Sequence, residues 1–454
     1  MRQQPIYPSG PTGIPGIGNV LDLARSSRLV WLQRGVDRYG DVFKFRLFRR
    51  EVYLVNHPDL VREILTTRSE MYSKNTVAFG MVRVVLGEST FTAAGDIWAR
   101  RRKLVQPSFH KQRIANLSTI MTDTIGTMLD DWTKLAEQGT TIDVADAMMR
   151  LTLKVVTRGL FSTALSADDV QTVADVFTPL LEATNRRVSF PLHALYRLPT
   201  RGNIRYQQYI DQLDAIIYRI IRQRREDDRP PLDLLQMLMD STDAETGKPL
   251  TDSELRDEIM TVFIAGHETT ANAMAWLWAT LAQRPDVLHR VEAEADRVLA
   301  ERIPTPADFG QLEYTQRVFR EILRLYPPVP ILPRKIEADN VLGDYYMEKG
   351  KEIFFSPYLL HRHPEFWEDP GHFDPERFTK ARQRTQHPFA YLPFGGGPRI
   401  CLGNNFALME AIFIIAMTTQ RFRLQLLPNA RIEPLVTLTT RPRHGVPVRL
   451  ERRA

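Results

Sequence analysis

The single cysteine of this 454-residue chain, Cys401, lies in Phe394-Gly-Gly-Gly-Pro-Arg-Ile-Cys-Leu-Gly403. A lone thiol can form no intrachain disulfide and cannot fill a multi-cysteine metal site. Its surroundings nevertheless favour the thiolate: a glycine-rich turn with free backbone amides, Arg399 two residues earlier, and an apolar helix about to begin. An ionised sulfur held on a rigid loop suits a metal whose remaining donors come from a cofactor, and haem is the candidate.

Other groupings carry chemistry less plainly. Ala265-Gly-His-Glu-Thr-Thr270 interrupts an apolar helical stretch, and a glycine inside a helix costs about 1 kcal/mol relative to alanine. One reason for Gly266 is a groove beside which an acid, Glu268, and an alcohol, Thr269, pass protons. The plainer reason is a kinked helix with a solvated polar face. His267 projects about 100° of helical rotation away from Glu268 and reads as structural. Glu321 and Arg324, at i and i+3, alone make an ordinary ion pair. Trp98 and Arg102, at i and i+4, alone read as packing, and Pro375-Glu-Arg-Phe378 says little by itself.

Positioning these groups falls to a mainly helical chain, with helical patterns from about residue 58 to 326. The strongest helix opens on Thr251-Asp-Ser-Glu254, a capping-box pattern, and extends to Gln283, where Arg284-Pro285 stops it. Roughly 30 residues at the helical rise reach about 45 Å, enough to cross a domain. Strand character appears over Val42 to Val55, where Phe43, Phe45 and Leu47 alternate with Lys44 and Arg46. A second strand pair is expected from Tyr345–Met347 and Glu352–Phe355, joined by Lys349-Gly350. Residues 1–19 form a proline- and glycine-rich lead-in, and Arg222 to Pro231 reads as a helix end and loop, not a linker. The expected architecture is a single mainly α domain with small β-sheets over residues 20–454.

The 43% hydrophobic composition supports a large core, and the net charge of +6 is a mild excess. The basic residues form no aromatic-interleaved motif, which argues against nucleic acid as a partner. No segment reaches the ~20 apolar residues of a membrane span; the most hydrophobic run, Ala411 to Met417, reads as a buried helix. Met1-Arg-Gln-Gln-Pro5 lacks the apolar core of a signal peptide. A cytoplasmic monomer is expected.

In this order, the segments resemble the cytochrome P450 family from the lead-in to Leu435–Val448. The cysteine decapeptide matches the family signature at Phe394, Gly397, Arg399, Cys401 and Gly403. The resemblance implies an α-rich lobe and a small β-rich lobe, with haem b between the long central helix and the cysteine loop. It implies Cys401 as the thiolate ligand of the iron and Phe394 against the haem near the sulfur. Propionate contacts are implied for Arg399, for Trp98 and Arg102, and for Arg334 after Pro327-Pro-Val-Pro-Ile-Leu-Pro333. Glu321, Arg324 and Arg377 match the family's buried charge triad. Thr269 and Glu268 match the pair found in oxygen-activating members, the alcohol holding dioxygen and a water, the acid helping to deliver protons.

The implied reaction inserts one oxygen atom from O2 into a hydrophobic substrate by hydroxylation or epoxidation. A fatty acid, a terpenoid or a steroid-like skeleton fits, with a slight likeness to fatty-acid-hydroxylating branches. The matched motifs place Phe91, Val262, Ala265, Val329, Ile331 and Leu438 around an apolar pocket, with Phe79, Met81 and Val82 as weaker candidates. Only 53 residues follow Cys401, so electrons are expected from a separate ferredoxin or flavodoxin. Arg101, Lys103, Lys111 and Arg113, with Lys380, Arg382 and Arg384, are expected to form its basic docking face. Two alternatives stand beside this reading. A peroxide-driven peroxygenase of the same fold would usually lack the Glu268–Thr269 pair. A non-catalytic haem-binding protein would be expected to carry a signalling or DNA-binding module, and none is visible.

Overall fold

Alternating and amphipathic patterns resolve, in a computed structural model, into two compact units that each draw on three segments of chain. The structure describes residues 5–25, 27–162, 166–190 and 193–453; the first four residues of the lead-in lie outside them. One unit comprises Met1–Thr76, Gln316–Cys401 and Glu433–Arg443, the other Val77–Thr315, Leu402–Ile432 and His444–Ala454.

The first unit is built on a five-stranded sheet, ordered Val42–Leu47, Arg50–Val55, Glu352–Phe355, Leu332–Ile336 and Tyr72–Ser73. Side chains alternate across a strand, and here both faces are covered. Phe43, Phe45, Val52 and Leu54 join Leu32 and Leu359 in one cluster, while Val42, Tyr53 and Val55 join Ile353 and Phe355 in the other. The lead-in is tied to this unit: Ser9 accepts from the Lys44 amide at 2.9 Å. Gly10 lies so close that a Cβ there would stand 1.8 Å from the Lys44 carbonyl oxygen.

One expected pairing does not form. Tyr345–Met347 pairs with Asn340–Leu342, while Glu352–Phe355 runs parallel to Arg50–Val55 and antiparallel to Leu332–Ile336. Gly343, at φ +57°, permits the two-residue hairpin at Gly343-Asp344. Ile353 and Phe355 are fully buried within the five-stranded sheet.

The second unit is helical. Its long helix, Asp252–Leu281, spans 30 residues and ends two residues before the expected stop. The capping box forms as read: the Glu254 amide donates to Thr251 Oγ1 at 3.2 Å, and the Thr251 amide to Glu254 Oε2 at 2.9 Å. Helix Val144–Phe161 packs along it. The long helix is unbroken at Gly266, where an added Cβ would approach Val156 Cγ2 to 3.1 Å. Close approach of two helices gives one reason for that glycine. Asn404–Arg421 is the buried helix foreseen around Ala411, its residues from Ala411 to Ala416 fully buried. Among the described residues, no helix is long and apolar enough to cross a membrane.

Candidate active site

The cysteine loop takes its shape from two glycines. Gly395 and Gly397 have φ of +71° and +67°, a region L-residues with a Cβ rarely adopt. At Gly397 a Cβ would stand 1.8 Å from the Leu65 carbonyl oxygen. The Cys401 amide then donates to Phe394 O at 3.0 Å, closing the loop and leaving the thiol exposed. Phe394 and Arg399 are half-buried on the same loop.

A buried ionic network in this unit supports the loop. Glu321 and Arg324, both fully buried, pair bidentately at 2.7 Å. Arg324 also donates to the carbonyls of His361, Pro370 and His372 at 2.7–3.0 Å. Arg377 completes the triad, its Nε 3.5 Å from Glu321 Oε1. His361 joins the network to the loop: its Nε2 accepts from the Leu392 amide at 2.7 Å, so its Nδ1–H donates to Arg324 O at 3.1 Å. Burial pushes this imidazole down to about 3, so it stays neutral. His361 is not legible in the sequence, because only folding brings residues 324, 361 and 392 together.

Arg334 tests whether this unit suits an anionic cofactor. The side chain is buried and donates to Pro333 O at 2.8 Å, with no carboxylate partner among the described residues. Burial pulls its guanidinium down to about 10. A buried unpaired charge is costly, and a haem propionate is the kind of anion that would offset it. The residues present fit the group.

The other unit carries the remaining candidates. Along the long helix, Val262, Ala265 and Thr269 share one face; Ala265 is exposed, and Val262, Glu268 and Thr269 are half-buried. The Thr269 hydroxyl donates to Ala265 O at 2.7 Å, which leaves its oxygen free to accept. His267 turns away into the core as expected, bonded to Phe263 O at 3.1 Å and edge-on to Phe177. Burial lowers it to about 4, so it carries no proton to donate as a cation at neutral pH. Trp98 and Arg102 are half-buried on helix Gly95–Val105, where Arg102 Nε donates to Gln106 Oε1 at 3.2 Å.

The pocket candidates divide in the same way. In the first unit Val329, Ile331 and Leu438 are half-buried, and the Thr440 amide donates to Pro328 O at 2.9 Å, bringing Leu438's hairpin to the proline segment. In the second, Phe91 is 38% exposed and packs on Phe79. Phe79 and Met81 are core residues, while Val82 is half-buried.

Arg101 departs from expectation. It is buried, 3.4 Å from both Glu254 Oε1 and Glu258 Oε1, and so cannot belong to a docking face. Beside it Arg256 pairs with Asp214 at 2.6 Å and Asp257 at 3.1 Å. Desolvation raises Glu258 to about 7. An Asp-Glu pair early in a helix reads as solvated acids, and nothing local marks it as buried.

Comparison with known proteins extends these observations over the whole chain. The Cytochrome P450 family model matches residues 8–446. Cyclooctatin synthase of Streptomyces melanosporofaciens is 34% identical over 440 residues, covering 96% of this chain and 94% of that protein. Cyclooctat-9-en-7-ol 5-monooxygenase of the same organism is 34% identical over 93% of this chain and 91% of its own length. Pentalenene oxygenase of Streptomyces avermitilis is 31% identical over 95% of this chain and 94% of its own length. The solved structure described as the cytochrome P450DA heme domain superposes with a TM-score of 0.89 at 27% identity, covering 100% of this chain and 99% of that one. A family model spanning nearly every residue, joined to a glycine-shaped loop that presents one thiol, establishes that the chain belongs to the cytochrome P450 family.

Proposed function

We propose that this P450 monooxygenase binds haem b through Cys401 and inserts one atom of O2 into a terpenoid-like hydrophobic substrate, using electrons from a separate ferredoxin or flavodoxin. The observation that carries the reading is the cysteine loop, whose left-handed glycines and closing amide bond hold a single exposed thiol. When bound, haem supplies the iron at which dioxygen is reduced. Cys401 supplies the sulfur ligand, and Arg334, Arg399, Trp98 and Arg102 supply positive charge and donors for the propionates. Thr269, its proton committed to Ala265 O, accepts a hydrogen bond from a water; Glu268, half-buried beside it, exchanges protons with solvent.

The substrate reading rests on Val262 and Ala265, which give the open face of the long helix no charge to meet a polar headgroup. Two relatives carry pentalenene and cyclooctat-9-en-7-ol in their names, which favours a terpenoid over a fatty acid. Residues 20–454 serve as one functional domain in this proposal, monomeric and cytoplasmic. Turnover under 18O2 with a ferredoxin system should place one labelled atom in the product. Equal turnover with hydrogen peroxide alone would point to the peroxygenase instead. In a spin-state titration, pentalenene should shift the haem and dodecanoic acid should not; the reverse result would overturn the substrate class.

A further inference from the structure

The loop from Gly87 to Ala93 is held in an unusual way. Its aromatic residue, Phe91, is 38% exposed, while its backbone amides reach buried carboxylates. The Glu88 amide donates to Asp257 Oδ2 at 3.0 Å and the Thr90 amide to Glu258 Oε1 at 2.7 Å. Asp257 is 8% exposed and Glu258 1%. Each acid has its own arginine: Arg256 lies 3.1 Å from Asp257, and Arg101 lies 3.4 Å from Glu258. The loop closes on itself through the Thr92 hydroxyl to Gly87 O, and Arg83 braces it by donating to Thr92 O at 2.9 Å. Gly87, at φ +58°, makes the approach possible, since a Cβ there would stand 2.0 Å from Asp257 Oδ1.

We infer that Asp257 and Glu258 are positioning residues for substrate recognition: two adjacent acids on the long helix clamp the loop that carries Phe91 and so set the shape of the pocket. Both acceptors are shielded from water, where a hydrogen bond is electrostatically stronger than it would be in solvent. A loop ordered by burying its own apolar residue would have Phe91 inside. Here the carboxylates hold the loop, and the ring, packed on Phe79, stays 38% exposed. The inference rests on the proposed placement of Phe91 in the pocket.

The test uses the haem-loaded enzyme and two iron-binding probes, imidazole, too small to reach the loop, and clotrimazole, bulky enough to fill the pocket. Glu258→Gln and Asp257→Asn should each weaken clotrimazole roughly tenfold, about 1.4 kcal/mol, and leave imidazole unchanged. Hydrogen exchange at the Glu88 and Thr90 amides should quicken. Gly87→Ala attacks the clamp from the loop side and should give the same pattern without altering either acid. Phe91→Ala separates the two ideas. If it changes clotrimazole binding while the three clamp variants stay within twofold of wild type, the clamp does not govern the pocket. If Phe91→Ala is silent as well, the pocket placement is wrong and the inference falls with it. Equal weakening of both probes would also overturn it, as a general disturbance of the haem site.

Discussion

Two imidazoles held neutral by burial should govern the response of this chain to acid. His267 and His361 are lowered to about 4 and about 3, against about 6.5 in an unfolded chain. Between those limits the unfolded state binds protons that the native state cannot. Both groups therefore contribute stability that is complete above about pH 6.5 and is lost as pH falls toward 4 and then 3. Thermal melts should show Tm falling from pH 7 to pH 5, with a shallower fall in His267→Phe; an identical slope would reject the assignment. Arg334 offers a second test at this scale. Removing an unpaired buried cation relieves a desolvation cost, so Arg334→Leu should leave the haem-free protein at least as stable. The same variant should lose haem faster to a scavenging apoglobin, because the offsetting charge for a propionate is gone. Slower haem loss, or a clear drop in apo stability, would contradict it. Cys401 was legible from sequence because its rarity and its glycine setting are local facts. His361 was not, because its two partners are 37 and 31 residues away.

Elements show the same division between local and distant causes. The start of the long helix could be read to the residue, since a capping box is made by four consecutive positions. The partner of Tyr345–Met347 could not, because the choice lay between two glycine turns, Gly343 and Gly350, both with positive φ. What decided it was the vacancy for Ile353 and Phe355 inside a sheet built from residues some 300 positions earlier. Gly266 was noticed for its helix cost, but its cause, Val156, belongs to another helix. That contact predicts a reversal of sign. Gly266→Ala gains up to about 1 kcal/mol of helix propensity, yet the 3.1 Å approach to Val156 makes it overpacked, at a cost of about 1–3 kcal/mol. The single variant should be neutral to destabilising in urea melts. In a Val156→Ala background the same change should become stabilising, giving a clear coupling in a double-mutant cycle. Strict additivity would show that the two helices do not meet there.

Across the whole molecule, sequence gives the total of +6 but not which charges are already answered. Of the basic residues expected to meet an acidic electron donor, Arg101 is consumed inside by Glu254 and Glu258. Lys103 pairs with Glu245 at 3.0 Å and Arg382 with Asp374 at 3.1 Å; such exposed pairs add little stability but mute the field a partner senses. Lys111, Arg113 and Arg384 remain exposed, and Arg113 lines a surface cavity of about 840 Å3 with Lys103 and His110. The proposed docking should therefore depend on a subset of the basic residues, distinguishable by salt. Steered association slows as ionic strength rises, because the screening length shrinks to about 8 Å at 0.15 M. Stopped-flow reduction by an acidic ferredoxin should slow severalfold between 0.02 and 0.3 M salt, on the usual scale of steering effects. Lys111→Glu and Arg113→Glu should each lower the low-salt rate and flatten that dependence. Arg101→Gln should instead leave the salt dependence intact and disturb azole binding, because its partner Glu258 holds the Phe91 loop and not a protein surface. A flattened salt dependence in Arg101→Gln would place that guanidinium on the docking face after all and contradict its burial.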